Sequence, residues 1–132
     1  MGATGEFVKS LYDAFGKGDV ATVVNALDPG IRWQEAEGYP YADRNPYVGP
    51  QAVVEGVFGR LIADIDSFTL HPANFIEGDD TVVVEGRYRG KVKATGRPLD
   101  AQFAHVWQAR GGKIVRFQQY TDTRQWVDAT KT

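Results

Sequence analysis

The chain has 132 residues, of which 42% are hydrophobic and 24% charged, a formal net charge of -2 at pH 7 and no cysteine. That size and balance predict one globular domain over residues 1–132 with a core of its own, while a pI near 5.6 gives no basic face for nucleic acid or an anionic membrane. Without cysteine there is no disulfide, thiolate nucleophile or sulfur-ligated metal, and with His71 and His105 the only histidines, no metal and no cofactor are expected.

The opening "MGATGEFVKSLYDAF" lacks the basic start and apolar run of a signal peptide, and no segment is long enough to cross a bilayer. A cytoplasmic protein is therefore expected. Phe7, Val8, Leu11, Tyr12 and Phe15 recur at helical spacing up to Gly16-Lys17-Gly18, where the first helix should end. Asp19 is placed to cap a second, short helix with Val20, Val23, Val24 and Leu27 on its apolar side, and Asp28-Pro29-Gly30 reads as the turn that ends it. In "IRWQE" the alternation predicts a brief strand with Ile31, Trp33 and Glu35 on one face. A loop rich in Pro, Gly and Tyr follows, "AEGYPYADRNPYVGP".

Pro50 suits the first turn of a third helix, whose stripe of Val53, Val54, Val57, Phe58, Leu61, Ile62 and Ile65 is broad enough to lie in a core. The periodicity then changes. "SFTLHPANFIEG", "DTVVVEGRYRGKVKATG", "PLDAQFAHVWQARG" and "GKIVRFQQYTD" read as long strands separated by Gly, Asp or Pro turn signals, an antiparallel meander. The final "RQWVDATKT" reads as a short helical or frayed tail. Helices first and a large sheet afterwards describe an α+β domain whose sheet curls around one long helix.

The stretches "FVKSLYDAFGKGDVATVVNALDPGIRWQEAEGYPY", "YVGPQAVVEGVF", "GRYRGKVKATGRPLDAQFAHVW" and "GGKIVRFQQYTDT" together resemble the SnoaL-like polyketide cyclase and ketosteroid isomerase-like branch of the nuclear-transport-factor-2-like superfamily. The resemblance implies a cone-shaped, curved mixed sheet of about six strands wrapped around a long helix, with three main helices (a cystatin-like architecture). It also implies an apolar pocket inside the cone and a homodimer. Function does not follow from the fold, which hosts isomerases, cyclases, epoxide hydrolases, dehydratases and non-catalytic modules.

The polar residues narrow the choice. If Val115 and Phe117 face inward, period two sends Gln119 and Thr121 inward too, and a bulge would swap them for Gln118, Tyr120 and Asp122. His105 lies between Phe103 and Trp107 on one strand face, so it is expected to be partly buried. It is either a hydrogen-bonded core residue or a base or donor near pKa ~6.5. The cyclases that the chain resembles carry a histidine and an aspartate facing each other on these two strands; alignment on "GGKI" puts His105 and Gln119 there. Gln119 can orient an oxygen but cannot take a proton, and Asp122 replaces the aspartate only where the strand end bends inward. Gln119 is expected near the pocket mouth, facing His105.

Glu35 stands roughly where ketosteroid isomerases, on the same resemblance, carry a general base. A carboxylate inside an apolar cone has a raised pKa that suits proton transfer beside a carbonyl; the alternative is a rim glutamate paired to Arg32 or Arg44. The catalytic candidates are thus His105, Glu35 and Asp122. Tyr12, Trp33, Tyr39, Phe58, Tyr88, Phe103, Trp107 and Gln119 are candidates to line a site for a flat, ring-containing ligand, although core packing alone accounts for any one of the aromatic residues. Arg87, Arg89, Lys91 and Lys93 alternate along one strand as a solvated or dimer-forming face. The expectation is a cofactor-free isomerase or cyclase-like enzyme that moves a proton on a hydrophobic cyclic or polyketide-like substrate. A ligand-binding module without catalysis and a dimeric accessory protein with a filled cone remain open.

Overall fold

The computed structural model describes residues 1–132. Its first helix, α1 (Ala3–Gly16), buries Val8, Leu11 and Tyr12 along one side. In α2 (Val20–Asn25) the Asp19 carboxylate accepts from the Thr22 backbone N–H at 3.2 Å, which supplies the expected cap. Strand β1 (Leu27–Gln34) starts earlier than the sequence suggests: Asp28-Pro29-Gly30 lies inside it and not in a separate turn. The ladder shifts register between Leu27 and Arg32, so Pro29, which has no N–H to donate, sits where pairing is interrupted. The loop after β1 contains a two-residue strand, β2 (Tyr47–Val48), too short to leave a pattern.

The central helical rod is built from three consecutive pieces: α3 (Pro50–Val53), a π-helical turn (Val54–Phe58) and α4 (Gly59–Asp64). Val53, Val57, Phe58 and Leu61 are buried against the sheet, whereas Val54 is half-buried, Ile62 is 55% exposed and Ile65 already belongs to the next strand. The wider π turn rotates the apolar face relative to a regular helix, which explains why the expected stripe is only partly buried. Gly56 is required within this turn, because a Cβ there would collide with the Tyr47 ring.

Four long strands complete the fold: β3 (Ile65–Glu77), β4 (Thr81–Val92), β5 (Pro98–Arg110) and β6 (Lys113–Thr121). The six-stranded sheet has the order β2-β1-β6-β5-β4-β3, antiparallel throughout except for the parallel pair β1–β6. This is the mixed, curved sheet around a long helix that the resemblance implies. Its concave side and the helices enclose one hydrophobic cluster. The final segment takes the helical of the two expected forms and is not frayed: α5 (Thr123–Thr130) inserts Trp126, which is 0% exposed, between Tyr39 and Tyr88.

Two bulges decide which side chains point into the cone. In β3 the register shifts between Asp66 and Thr69 around Ser67, which has φ 53°. Strict alternation from the buried Ile65 would send Ser67 and Thr69 inward; the bulge sends Phe68 and Leu70 instead. In β6 a shift between Gln108 and Ala109 of the partner strand lets Ile114 and Phe117, three residues apart, both face the core. Val115, expected inside, is half-buried. From Phe117 onward the alternation is regular, so Gln119 points inward as the sequence suggests, at 2% exposure.

Candidate functional site

Strand pairing brings the polar residues together. Trp33 of β1 pairs in parallel with Phe117 of β6, and their rings stack at 3.7 Å between centroids. Two residues further along the same inward row come Glu35 and Gln119. Across the antiparallel β5–β6 pair, His105 lies directly opposite Gln119, and Trp107 opposite Phe117. Tyr12 reaches this row from α1, Tyr88 from β4 and Tyr39 from the loop after β1. These groups line a cavity of about 50 Å³ in which fourteen of seventeen lining residues are hydrophobic. The few polar groups therefore lie in surroundings that offer little other solvation.

His105 is the hub of the polar network. Its Nδ1 lies 2.6 Å from the Tyr12 hydroxyl and its Nε2 2.5 Å from the Tyr88 hydroxyl. The Tyr12 oxygen also accepts from Trp107 Nε1 at 2.8 Å, and the Tyr88 oxygen from Gln119 Nε2 at 2.8 Å. The Gln119 carbonyl in turn accepts from the Ala36 backbone N–H at 3.1 Å, which fixes the orientation of its amide. Phe103 stacks on the imidazole at 4.0 Å. Burial disfavours the imidazolium and pushes the His105 pKa down to about 3. His105 is consequently a neutral hydrogen-bonding centre at physiological pH. The same loss of solvation raises the hydroxyls of Tyr12, Tyr39 and Tyr88 well above the usual tyrosine value.

Glu35 is held differently. Its backbone is clamped by Asn45, whose Oδ1 accepts from the Glu35 N–H at 2.9 Å and whose Nδ2 donates to the Glu35 carbonyl at 2.8 Å. Its carboxyl accepts a single bond, from Trp33 Nε1 at 3.0 Å. That partner is not the Arg32 or Arg44 of the rim alternative, and the residue is 3% exposed. Burial lifts its pKa to about 8, outweighing the Trp33 bond and the more distant positive charge of Arg60, both of which favour the anion. At neutral pH the carboxyl is mostly protonated, yet it can release its proton within one pH unit. Glu35 also borders a second, outer hollow together with Gln34, Asn45 and Gln118, which makes it the residue shared by the inner cavity and that solvent-facing depression.

A family model for the SnoaL-like domain matches residues 8–117, which include Tyr12, Glu35, Tyr39, Tyr88 and His105 and end two positions before Gln119. The chain belongs to the SnoaL-like domain family. An NTF2-like protein from Burkholderia thailandensis is 34% identical, with 98% of each chain covered and a TM-score of 0.91. An NTF2-like protein of unknown function from Burkholderia pseudomallei is 28% identical over 100% of both chains, at a TM-score of 0.90. TerC, solved as a co-crystal with polyporic acid, shares the fold at 23% identity, 98% coverage of each chain and a TM-score of 0.84. No curated protein matches the chain.

Of the residues singled out from the sequence, Tyr12, Trp33, Glu35, Tyr39, Phe58, Tyr88, His105, Trp107 and Gln119 all line the cavity. Two do not. Phe103 lies behind the imidazole, and Asp122 stays outside because β6 ends without bending inward; its carboxylate caps α5 through the Gln125 N–H and side-chain amide. Gln119 is not at the mouth: it is deeply buried, while the cavity approaches the surface where Phe15, Phe68 and Leu70 are half-buried. Those three residues escaped the sequence reading. Phe68 and Leu70 depend on a bulge that alternation cannot foresee, whereas Phe15 was already visible on the apolar side of α1. No three His, Asp or Glu side chains gather in a way that could hold a metal ion.

Proposed function

We propose that the cavity is an active site for proton transfer on a small cyclic ketone or a related polyketide-like compound. Glu35 acts as the base that removes a proton next to the carbonyl and returns it at another position. The observation that carries this reading is a carboxyl 3% exposed in an apolar cavity with its pKa lifted to about 8. A base with a pKa close to the working pH combines a useful population of the anion with enough basicity to abstract a weakly acidic proton. The aromatic walls suit a ring, which exceeds the about 50 Å³ present and enters only if half-buried side chains such as Phe15, Phe68 and Leu70 move aside. The presence of polyporic acid with the structurally similar TerC makes that compound a sensible member of a ligand panel. His105, bonded at both nitrogens, is here a group that orients and not the base.

The test is exchange of the α-protons of a panel of cyclic ketones into D2O, followed by NMR. Exchange that the protein accelerates and Glu35→Gln abolishes supports the reading. Exchange at the same rate in both proteins overturns it and leaves a binding module. A homodimer in solution belongs to the same proposal, because the outer sheet face presents an alternating charged row in which Arg87 and Arg89 share Asp100. Light scattering should give about twice the 14.6 kDa chain mass; a monomer at micromolar concentration contradicts it.

A further inference from the structure

The hydrogen bonds around His105 leave one proton without an acceptor. A neutral imidazole offers one N–H and one lone pair. Tyr12 and Tyr88 each bring a hydroxyl proton to the two ring nitrogens, and each tyrosine oxygen already accepts from another donor, Trp107 or Gln119. One tyrosine can donate to the ring lone pair, and the other must accept the ring N–H. The second tyrosine keeps a hydroxyl proton that nothing in the network can take. A further buried donor faces the same space: the Tyr39 hydroxyl is buried, lines the cavity and makes no hydrogen bond of good geometry, although the Gln119 amide lies beside it.

We infer that His105 is a positioning residue whose Nε2–H tautomer turns the Tyr88 hydroxyl proton toward the cavity, so that Tyr88 and Tyr39 together bind an acceptor oxygen of the ligand. In this arrangement Tyr12 donates to Nδ1, Nε2–H donates to Tyr88, and Tyr88 receives two hydrogen bonds, which polarises its own O–H. The choice of Tyr88 over Tyr12 follows from its neighbours. Tyr88 is bonded to Gln119, which is anchored on Ala36 beside Glu35, whereas Tyr12 is bonded to Trp107 on the α1 side. The surplus donors thus collect on the side of the cavity that holds the carboxyl. A ligand fits when it presents an oxygen acceptor; its hydrocarbon counterpart leaves both donors unmet, an omission that costs affinity in a dry site.

The inference rests on the cavity being the ligand site, as proposed above, and its test separates the two ideas. The probes are 1-indanone and indane, equal in ring skeleton and different in the oxygen. Wild-type protein should bind the ketone about fivefold to tenfold more tightly than the hydrocarbon. Tyr88→Phe should reduce that ratio several-fold, because the ketone loses a donor and indane leaves one fewer unmet; indane binding by the variant also reports an intact cavity. Equal affinity of wild-type protein for both probes, or an unchanged ratio in Tyr88→Phe, overturns the inference. Nitrogen NMR of the wild-type histidines, with His71 assigned through His71→Gln, supplies a measurement that needs no Tyr88 variant. His105 should be neutral with its proton on Nε2, with and without 1-indanone; a proton on Nδ1 or an imidazolium contradicts the assignment. A ketone preference without α-proton exchange would leave the donor pair standing and remove only the catalytic reading.

Discussion

The two walls of the cavity each carry a buried titratable group, and burial acts on them in opposite directions. On the β5 wall His105 is 4% exposed and driven down to about 3; on the β1 wall Glu35 is 3% exposed and driven up to about 8. Both are mostly neutral at pH 7, as a low-dielectric site demands. They differ in what holds them. Both nitrogens of His105 are occupied by tyrosine hydroxyls, so a change in its protonation breaks a bond in a closed network. Glu35 accepts one hydrogen bond and borders the outer hollow. Burial alone therefore does not mark a proton-transfer group: a buried group is poised when its shifted pKa lies near the working pH and its bonds leave it free to change state. By that measure Glu35 is poised and His105 is fixed.

The largest expected effect tests the poised wall. Glu35→Gln keeps the shape and removes the base, so any α-proton exchange should fall by about 10²- to 10⁴-fold, the usual contribution of a positioned base. The melting temperature at neutral pH should rise, since glutamine replaces a carboxyl that the fold holds protonated and the unfolded chain ionises. His105→Ala should do the opposite to stability. It removes a packed ring and leaves two buried hydroxyls unmet, at a cost of about 2 to 5 kcal/mol in denaturant unfolding. Equal stability losses in the two variants would erase the distinction between the walls.

The pH dependence of stability sharpens the same contrast. Glu35 is lifted from 4.5 to about 8, so in that interval the folded protein holds a proton that the unfolded chain has released, and stability falls as pH rises. His105 is lowered from 6.5 to about 3, so there the unfolded chain holds the extra proton and stability falls as pH drops. Between 4.5 and 6.5 the two slopes cancel. Their sum is a plateau across that range, flanked by declines of about 1.4 kcal/mol per pH unit on either side. Glu35→Gln should abolish the alkaline decline and, with nothing left to cancel the His105 slope, extend the acid decline up to 6.5. A smaller effect marks the carboxylate outside the cavity: Asp122→Ala should cost about 1 kcal/mol through the lost cap of α5 and leave ligand affinity unchanged.

The helices, the long strands and the family were legible because they rest on periodicity and on turn residues. Asp19, for example, caps its helix as local chemistry predicts. Most of the cavity lining was legible for the same reason, since one parity rule carries Trp107, His105, Phe117 and Gln119 to the same face. What failed depended on non-local pairing. Phe68 and Leu70 face inward through a bulge at Ser67 that β4 accommodates, and Pro29 sits in a strand because of an irregular ladder with β6. Ile62 is exposed because the helical rod contains a π turn. The role of His105 was the hardest to read: whether an imidazole is a base or a hub depends on which hydroxyls reach its two nitrogens, and Tyr12 and Tyr88 arrive from positions 93 and 17 residues away.

The most direct test of the account is a carbon-13 NMR titration of the Glu35 side-chain carboxyl in the 132-residue chain, with Glu35→Gln used to assign the resonance. The expected midpoint lies near 8. A midpoint near the ordinary value of 4.5 would mean that the carboxyl is solvated, and would leave the cavity without its base.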